Sequence, residues 1–200
     1  MEFQFAPLGE CAVTIRWGKQ IKEEINDTVM LAMKALEADP FESFVECVPA
    51  YASLTVYYDP AKIAVKDQPD CYQAVCEWIA SRLESISLLK TSGERRTVDI
   101  PVCYEGAYAP DLTLVAETNG LTAEEVIRIH SERTYRVYML GFAPGFPYLG
   151  GMDSRIAAPR RSVPRQGVSA GSVGIAGIQT GIYPMEMPGG WQIIGRTPLR

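Results

Sequence analysis

Over residues 1–90 of the 200-residue chain, the apolar positions switch between two periods. In "CAVTIRW" (11–17) they alternate, which predicts a strand with Cys11, Val13, Ile15 and Trp17 on one face. Ile21, Ile25, Val29, Ala32, Met33 and Leu36 then recur at helical spacing. Asp39-Pro40 ends that helix, because a residue before proline is pushed out of helical backbone. Two β-rich runs follow, "SFVECVP" and "ASLTVYY", parted by Pro49-Ala50-Tyr51. A second amphipathic helix carries Tyr72, Val75, Cys76, Ile79, Leu83 and Ile86. The order strand, helix, strand, strand, helix predicts a small α+β sandwich with its helices on one sheet face.

The polar stretch "KTSGERR" (90–96) marks a change of pattern. It places a boundary between an N-terminal α+β domain over 1–90 and a second domain over 91–200. There "TVDIPVCY" alternates Val98, Ile100 and Val102 inward, as a half-buried strand does. Pro110-Asp111 opens a short helix that Asn119-Gly120 closes. Thr122 and Glu125 form a capping-box pattern for a helix running to about Glu132, and "TYRVYML" reads as a strand. Between Gly141 and Gly195 fall twelve of the seventeen glycines and six of the fourteen prolines, around short β runs such as "SVGIAG" and "WQIIG". That pattern predicts a β-barrel or β-sandwich with functional loops.

Composition adds bounds. A 47% hydrophobic fraction supplies core for one large domain or two small ones. The net charge of −5 excludes a global basic field for nucleic acid, yet residues 153–200 carry six arginines against Asp153 and Glu186. That positive end is either an anion site or a solvated face. Cys11, Cys47, Cys71, Cys76 and Cys103 are odd in number, lack a CxxC pair and have no histidine nearby. They read as free thiols, with no metal site expected. "MEFQFAPLGE" lacks the regions of a signal peptide and no apolar run could span a bilayer, so the expectation is a soluble, cytoplasmic protein without a membrane partner.

Candidate chemistry concentrates in the second domain. "GFAPGFPYLGG" (141–151) mixes four glycines, two prolines and three aromatics, which suits neither a helix nor a central strand. It is read as a rigid aromatic loop with Phe146–Pro147 trans. "GSVGIAG" (171–177) is either a phosphate-cradling loop or a strand whose glycines allow close approach. His130, the single histidine, shares a helical face with Val126 and Ile127 and reads as packed, with a weaker catalytic candidacy. Arg160 and Arg165, stiffened by Pro159 and Pro164, suit bidentate contact with a small anionic amide substrate or an acidic partner. Gln179, Thr180 and Tyr183 add neutral hydrogen-bonding groups near Trp191, or are a polar turn before a core tryptophan. Asp153 and Glu186 show no evident pairing.

Four long motifs in order, "YMLGFAPGFPYLGGMD", "IAAPRRSVPR", "AGSVGIAGIQTGIYP" and "PGGWQIIGRTPL", resemble the allophanate hydrolase subunit 1 family. The resemblance extends through "LGECAVTIRWG", "ECVPAYASLTVYYDP", "IPVCYEG" and "EEVIRIHSERTYRVYMLGF" to nearly the whole chain. The family includes the 5-oxoprolinase subunit PxpB and, nearest in look, the sporulation kinase inhibitor KipI. The resemblance implies a cyclophilin-like β-barrel after a small α/β domain. It also implies a non-autonomous subunit that works with a KipA- or PxpC-like second subunit and a PxpA-like subunit. Such a complex opens 5-oxo-L-proline to L-glutamate with ATP hydrolysis, and the isolated chain is expected to be inactive. The KipI branch implies instead an inhibitor of a sporulation histidine kinase. On this resemblance Phe142, Pro144, Gly145, Phe146 and Tyr148 line a shallow site for a flat ring or a proline-containing segment, with Trp191 near the seam; a structural barrel corner is the competing reading. Ala109 and Ser169 depart from the family pattern, and relatives continue past "GRTPL", so an incomplete barrel is expected.

Overall fold

The computed structural model describes residues 2–63, 70–86 and 96–199, side chains of 85 and 86 excepted, and the chain divides into two compact units, Met1–Arg95 and Arg96–Arg200. Apart from Arg96, the boundary stretch 90–96 lies outside the described residues, as does the side chain of Ile86.

The first unit is a four-stranded antiparallel sheet in the order β1-β2-β4-β3, formed by β1 (Gln4–Pro7), β2 (Ala12–Arg16), β3 (Phe44–Pro49) and β4 (Ser53–Tyr58). Helices α1 (Glu23–Ala38) and α2 (Cys71–Ile86) pack against it. Val13, Ile15, Leu54, Val56 and Tyr58 meet Val29, Ala32, Leu36, Val75, Ile79 and Leu83 in one core. The β-rich run "ASLTVYY" is β4, whose residues alternate buried and half-buried, and Val29, Ala32, Leu36, Val75, Ile79 and Leu83 of the predicted helical periods are buried. Three points differ from the sequence reading. Edge strand β1 was not anticipated; Cys11 is exposed, because β2 begins after it; and Ile21 lies before α1 and is exposed. Asn26, a buried polar residue, donates from Nδ2 to the Ala50 carbonyl at 3.2 Å, tying α1 to the β3–β4 turn.

The second unit is built on a five-stranded antiparallel sheet in the order β11-β8-β9-β6-β5. Its strands are β5 (Arg136–Leu140), β6 (Pro147–Gly150), β8 (Ser172–Ala176), β9 (Gln179–Ile182) and β11 (Gln192–Arg196). A two-stranded ribbon pairs β7 (Arg165–Val168) with β10 (Met187–Gly189). Helix α3 (Leu112–Asn119) ends in a left-handed Gly120 whose N–H reaches the Ala116 and Glu117 carbonyls. Helix α4 (Ala123–Ser131) starts on the complete Thr122–Glu125 capping box.

Both sheet faces are covered. Val173, Ile175 and Ile194 join α3 and α4 in one cluster, while Ile193 and Ala176 join Phe146, Tyr183 and Trp191 in another. All five β8 residues are therefore buried, as in a strand with apolar neighbours on both sides. The strands form an open sheet with a ribbon, so the barrel is not closed among the described residues. Two expectations are corrected. "TVDIPVCY" forms no strand: only Cys103 bridges to Arg196, and Val98 and Ile100 stay exposed because no neighbouring strand covers them. "GSVGIAG" is strand β8 in mid-sheet, which removes the phosphate-loop alternative. No described helix is long and apolar enough to cross a membrane.

Candidate functional site

The loop joining β5 to β6 is a tight hairpin. Gly141 N–H bonds to the Phe146 carbonyl at 3.1 Å, and Phe146 N–H to the Ala143 carbonyl at 3.0 Å. Pro144 and Gly145 occupy the two central turn positions, and Gly145 has φ +79°. This matches a type II turn, in which proline presets the first corner and only glycine readily takes the second. Pro147 opens β6, an inner strand between β9 and β5, so the second half of "GFAPGFPYLGG" is sheet rather than loop. Proline is accommodated there because it is the first residue of the strand. Its peptide bond is trans, as expected.

Phe146 sits at the centre of an aromatic stack. Its ring centroid lies 5.0 Å from Tyr148, 5.3 Å from Tyr183, 5.5 Å from Trp191 and 5.6 Å from Phe142, all near edge-to-face. Such geometry sets a positive ring edge on a negative face. Phe146, Tyr183 and Trp191 are buried: Phe146, expected to line a shallow site, is core, and Trp191 follows the core-tryptophan alternative. Phe142 alone of the stack projects into solvent, with Pro144 and Gly145 exposed beside it. Burial raises the Tyr183 hydroxyl pKa, partly offset by a hydrogen bond from the Trp191 backbone and by the nearby charges of Arg160 and Arg165.

The arginines divide by role. Arg165 Nη2 lies 2.7 Å and Arg161 Nη1 3.3 Å from Asp111 Oδ1, while Asp111 Oδ2 accepts the Ile193 N–H at 2.6 Å. The carboxylate is buried and closes a clamp between the start of α3, strand β11 and the 159–165 loop. Arg165 is thus the counter-ion of an internal carboxylate, whereas its sequence context suggests a small anionic substrate or an acidic partner. Arg160 is exposed and makes no hydrogen bond or ion pair among the described residues, leaving its guanidinium free for an external anion. Asp153 is also paired, with arginines. It takes Arg133 Nη2 at 2.7 Å and Arg155 Nη2 at 2.8 Å, and these bonds, those of Arg155 foremost, hold its carboxyl well below the usual range.

His130 and Thr180 come together beneath the sheet. Thr180 Oγ1 donates to the Gly174 carbonyl at 3.0 Å, so its oxygen accepts from His130 Nε2–H at 3.0 Å. His130 Nδ1 then accepts the Tyr104 hydroxyl at 2.8 Å, and the Tyr135 hydroxyl donates to the His130 carbonyl at 2.7 Å. Every polar atom of the imidazole is used, and burial lowers its pKa to about 4. A neutral, fully bonded histidine is a packed one; it offers no base to solvent. Thr180, wholly buried, is likewise unavailable to a ligand, while Gln179 is half-buried on β9.

Sequence reasoning missed Asp111, Tyr104 and Tyr135. Asp111 carried a misleading signal, since aspartate after proline at a helix start reads as a cap; here the side chain makes no cap bond and turns to β11. Among the described residues no group of His, Cys, Asp or Glu could hold a metal, and the five cysteines are free.

The chain matches the family model of the carboxyltransferase domain, subdomain C and D, over residues 3–200. It is 49% identical over 209 residues to the 5-oxoprolinase B subunit of Bacillus subtilis, covering 100% of this chain and 84% of that protein. It is 44% identical to the 5-oxoprolinase B subunit of Escherichia coli, covering 78% and 67%. The crystal structure of TTHA0988 superposes with a TM-score of 0.76 at 35% identity, over 94% of this chain and 35% of that one. The chain thus spans about a third of that structural relative. The family match over residues 3–200 and these identities place the chain in the carboxyltransferase subdomain C and D family, among the 5-oxoprolinase B subunits of the allophanate hydrolase subunit 1 group.

Proposed function

We propose that this chain acts as the B subunit of a 5-oxoprolinase, contributing part of a site that other subunits complete. It is a subunit of that enzyme on the strength of one observation, 44–49% identity to proteins of that name. The non-autonomous reading draws support from the second unit's chemistry. Its buried carboxylate Asp111 is clamped by two arginines and a backbone amide, Asp153 is held ionised between two more, and His130 is neutral and saturated. None of these groups is placed to serve as a nucleophile or a base.

ATP, implied by the family, finds no fitting site among the described residues. The glycine-rich segment is a buried strand, and Arg155, Arg161 and Arg165 are engaged internally. In this reading the nucleotide is held by the partner subunits. What this chain offers a cyclic amide acid is the exposed Arg160 guanidinium, near enough to Tyr183 to act on it electrostatically, for a carboxylate, and the exposed apolar ring of Phe142.

The test is 5-oxoproline-dependent glutamate release by the purified chain, alone and with the other subunits. Release only in the mixture, reduced by Arg160→Ala while assembly persists, is expected. Full activity of the chain alone overturns the shared-site reading.

A further inference from the structure

Cys11, Cys47, Cys71 and Cys76 all belong to the first unit, and two of them converge on one end of its sheet. Cys11 continues the line of β2 by one residue. Ala12 pairs with Tyr57 and Val13 with Val56, and the Tyr58 N–H donates to the Cys11 carbonyl at 2.9 Å. Side chains of paired residues share a face, and faces alternate along a strand. The register therefore carries Cys11 to the side of Tyr58, Val13 and Val56, which is the side that the helices cover. Cys11 remains exposed, at the edge of that covered face.

Helix α2 lies over β2. Its start is fixed by Asp70, whose Oδ1 accepts the Tyr72 N–H at 2.9 Å. Counted back in steps of four from buried Ile79 and Val75, the core-facing stripe of α2 reaches Cys71. Cys71 is half-buried and packs against the core to which Tyr58 belongs. Burial raises the Tyr58 hydroxyl pKa, and the Cys71 and then the Cys11 thiol add to it, so both thiols neighbour that hydroxyl.

The other thiols are set apart. Burial, with Glu37 and Glu46 nearby, pushes the Cys47 pKa up to about 12. Burial also raises that of Cys76, partly offset by its hydrogen bond with Tyr72. A thiol reacts as its thiolate, so neither is a ready nucleophile. Cys103 belongs to the second unit.

We propose that Cys11 and Cys71 form a redox-sensitive pair, closed to a disulfide by hydrogen peroxide and reopened by a small dithiol. The exposed Cys11 thiolate attacks one peroxide oxygen; the O–O bond breaks, and the departing hydroxide takes a proton to become water. The Cys71 thiolate then attacks the resulting sulfenic acid, and the expelled hydroxide takes up the Cys71 proton as a second water. Two thiols are oxidised and one peroxide is reduced. Reopening runs by exchange through a mixed disulfide, the dithiol leaving oxidised. Both cysteines stand at the ends of their elements, where the backbone adjusts to the Cα spacing of about 4.4–6.8 Å that a disulfide needs. The bond ties the first turn of α2 to the start of the strand that it covers.

The experiment treats the purified chain with hydrogen peroxide, digests it without reduction and maps the peptides by mass spectrometry, beside Cys11→Ser and Cys71→Ser. A linked Cys11–Cys71 peptide pair is expected, lost on treatment with dithiothreitol. The thermal midpoint of the oxidised first unit is expected to rise by more than about 5 °C, because a cross-link over so long a loop constrains the unfolded chain. In Cys71→Ser the Cys11 sulfenic acid is expected to persist and be trapped by dimedone; in Cys11→Ser, Cys71 is expected to stay reduced. A Cys71–Cys76 bridge, a bridge to Cys103, a disulfide-linked dimer in place of the internal bond, or full retention of free thiols overturns the proposal. The wild-type map decides between these outcomes even if a serine variant fails to fold.

Discussion

Replacing Asp111 by alanine tests how the second unit is held together. The carboxylate is 4% exposed and accepts three hydrogen bonds, from Ile193 N–H at 2.6 Å, Arg165 at 2.7 Å and Arg161 at 3.3 Å. Without it the buried Ile193 amide in β11 is orphaned, which costs about 1–3 kcal/mol. The two guanidinium groups lose their partner but, with side chains 24% and 35% exposed, keep access to water. Their share therefore falls below the about 3–5 kcal/mol typical of breaking a fully buried pair. A total near 3 kcal/mol is expected, a large part of the about 5–15 kcal/mol that stabilises an ordinary domain. For a unit of this size it lowers the thermal midpoint by more than about 10 °C. The assay is urea unfolding together with hydrogen exchange of the β11 amides, repeated for Arg165→Ala and for the double variant. A loss below about 1 kcal/mol, or purely additive single changes, would refute the clamp.

Two further outcomes follow from the same packing. His130 titrates near its ordinary value of about 6.5 in the unfolded chain, but in the fold only near about 4, because burial disfavours the imidazolium. A folded value below the unfolded one means stability that is present above pH 6.5 and is lost as pH falls toward 4, approaching about 3 kcal/mol. Urea midpoints at pH 7.5 and 4.5 measure it, and a drop as steep in His130→Gln as in wild type counts against this origin. In Gly189→Ala the added Cβ would overlap the Tyr183 hydroxyl and sit 2.8 Å from Tyr183 Cε1. A cost of about 2 kcal/mol or more by thermal unfolding is expected, partly recovered in combination with Tyr183→Phe. Equal stability of Gly189→Ala and wild type would show that the aromatic stack is not tightly packed there.

Local physics was legible in the residues themselves. The periods of α1 and α2, the β-rich run of β4, the Thr122–Glu125 cap and the Gly120 stop each depend on neighbours within a few positions. Spacing alone therefore specifies them. The family was legible too, because its motifs are long and ordered, and comparison with the 5-oxoprolinase B subunits bears it out. Decisions made across long separations were not legible. Asp111 meets Arg161, Arg165 and Ile193 from 50, 54 and 82 positions away, so nothing near it announced an ion pair rather than a cap. His130 and Thr180 are 50 apart, and only the sheet brings them into one hydrogen-bonded chain. Aromatics show the same limit. Phe142 and Phe146 share one motif, yet Phe146 is core and Phe142 is displayed, because β9 presents Gly181 to the Phe146 ring while no described strand covers β5. Sequence identifies which side chains are able to bind; the fold decides which of them are already bound to the protein itself, since each buried charge or donor must find its partner inside.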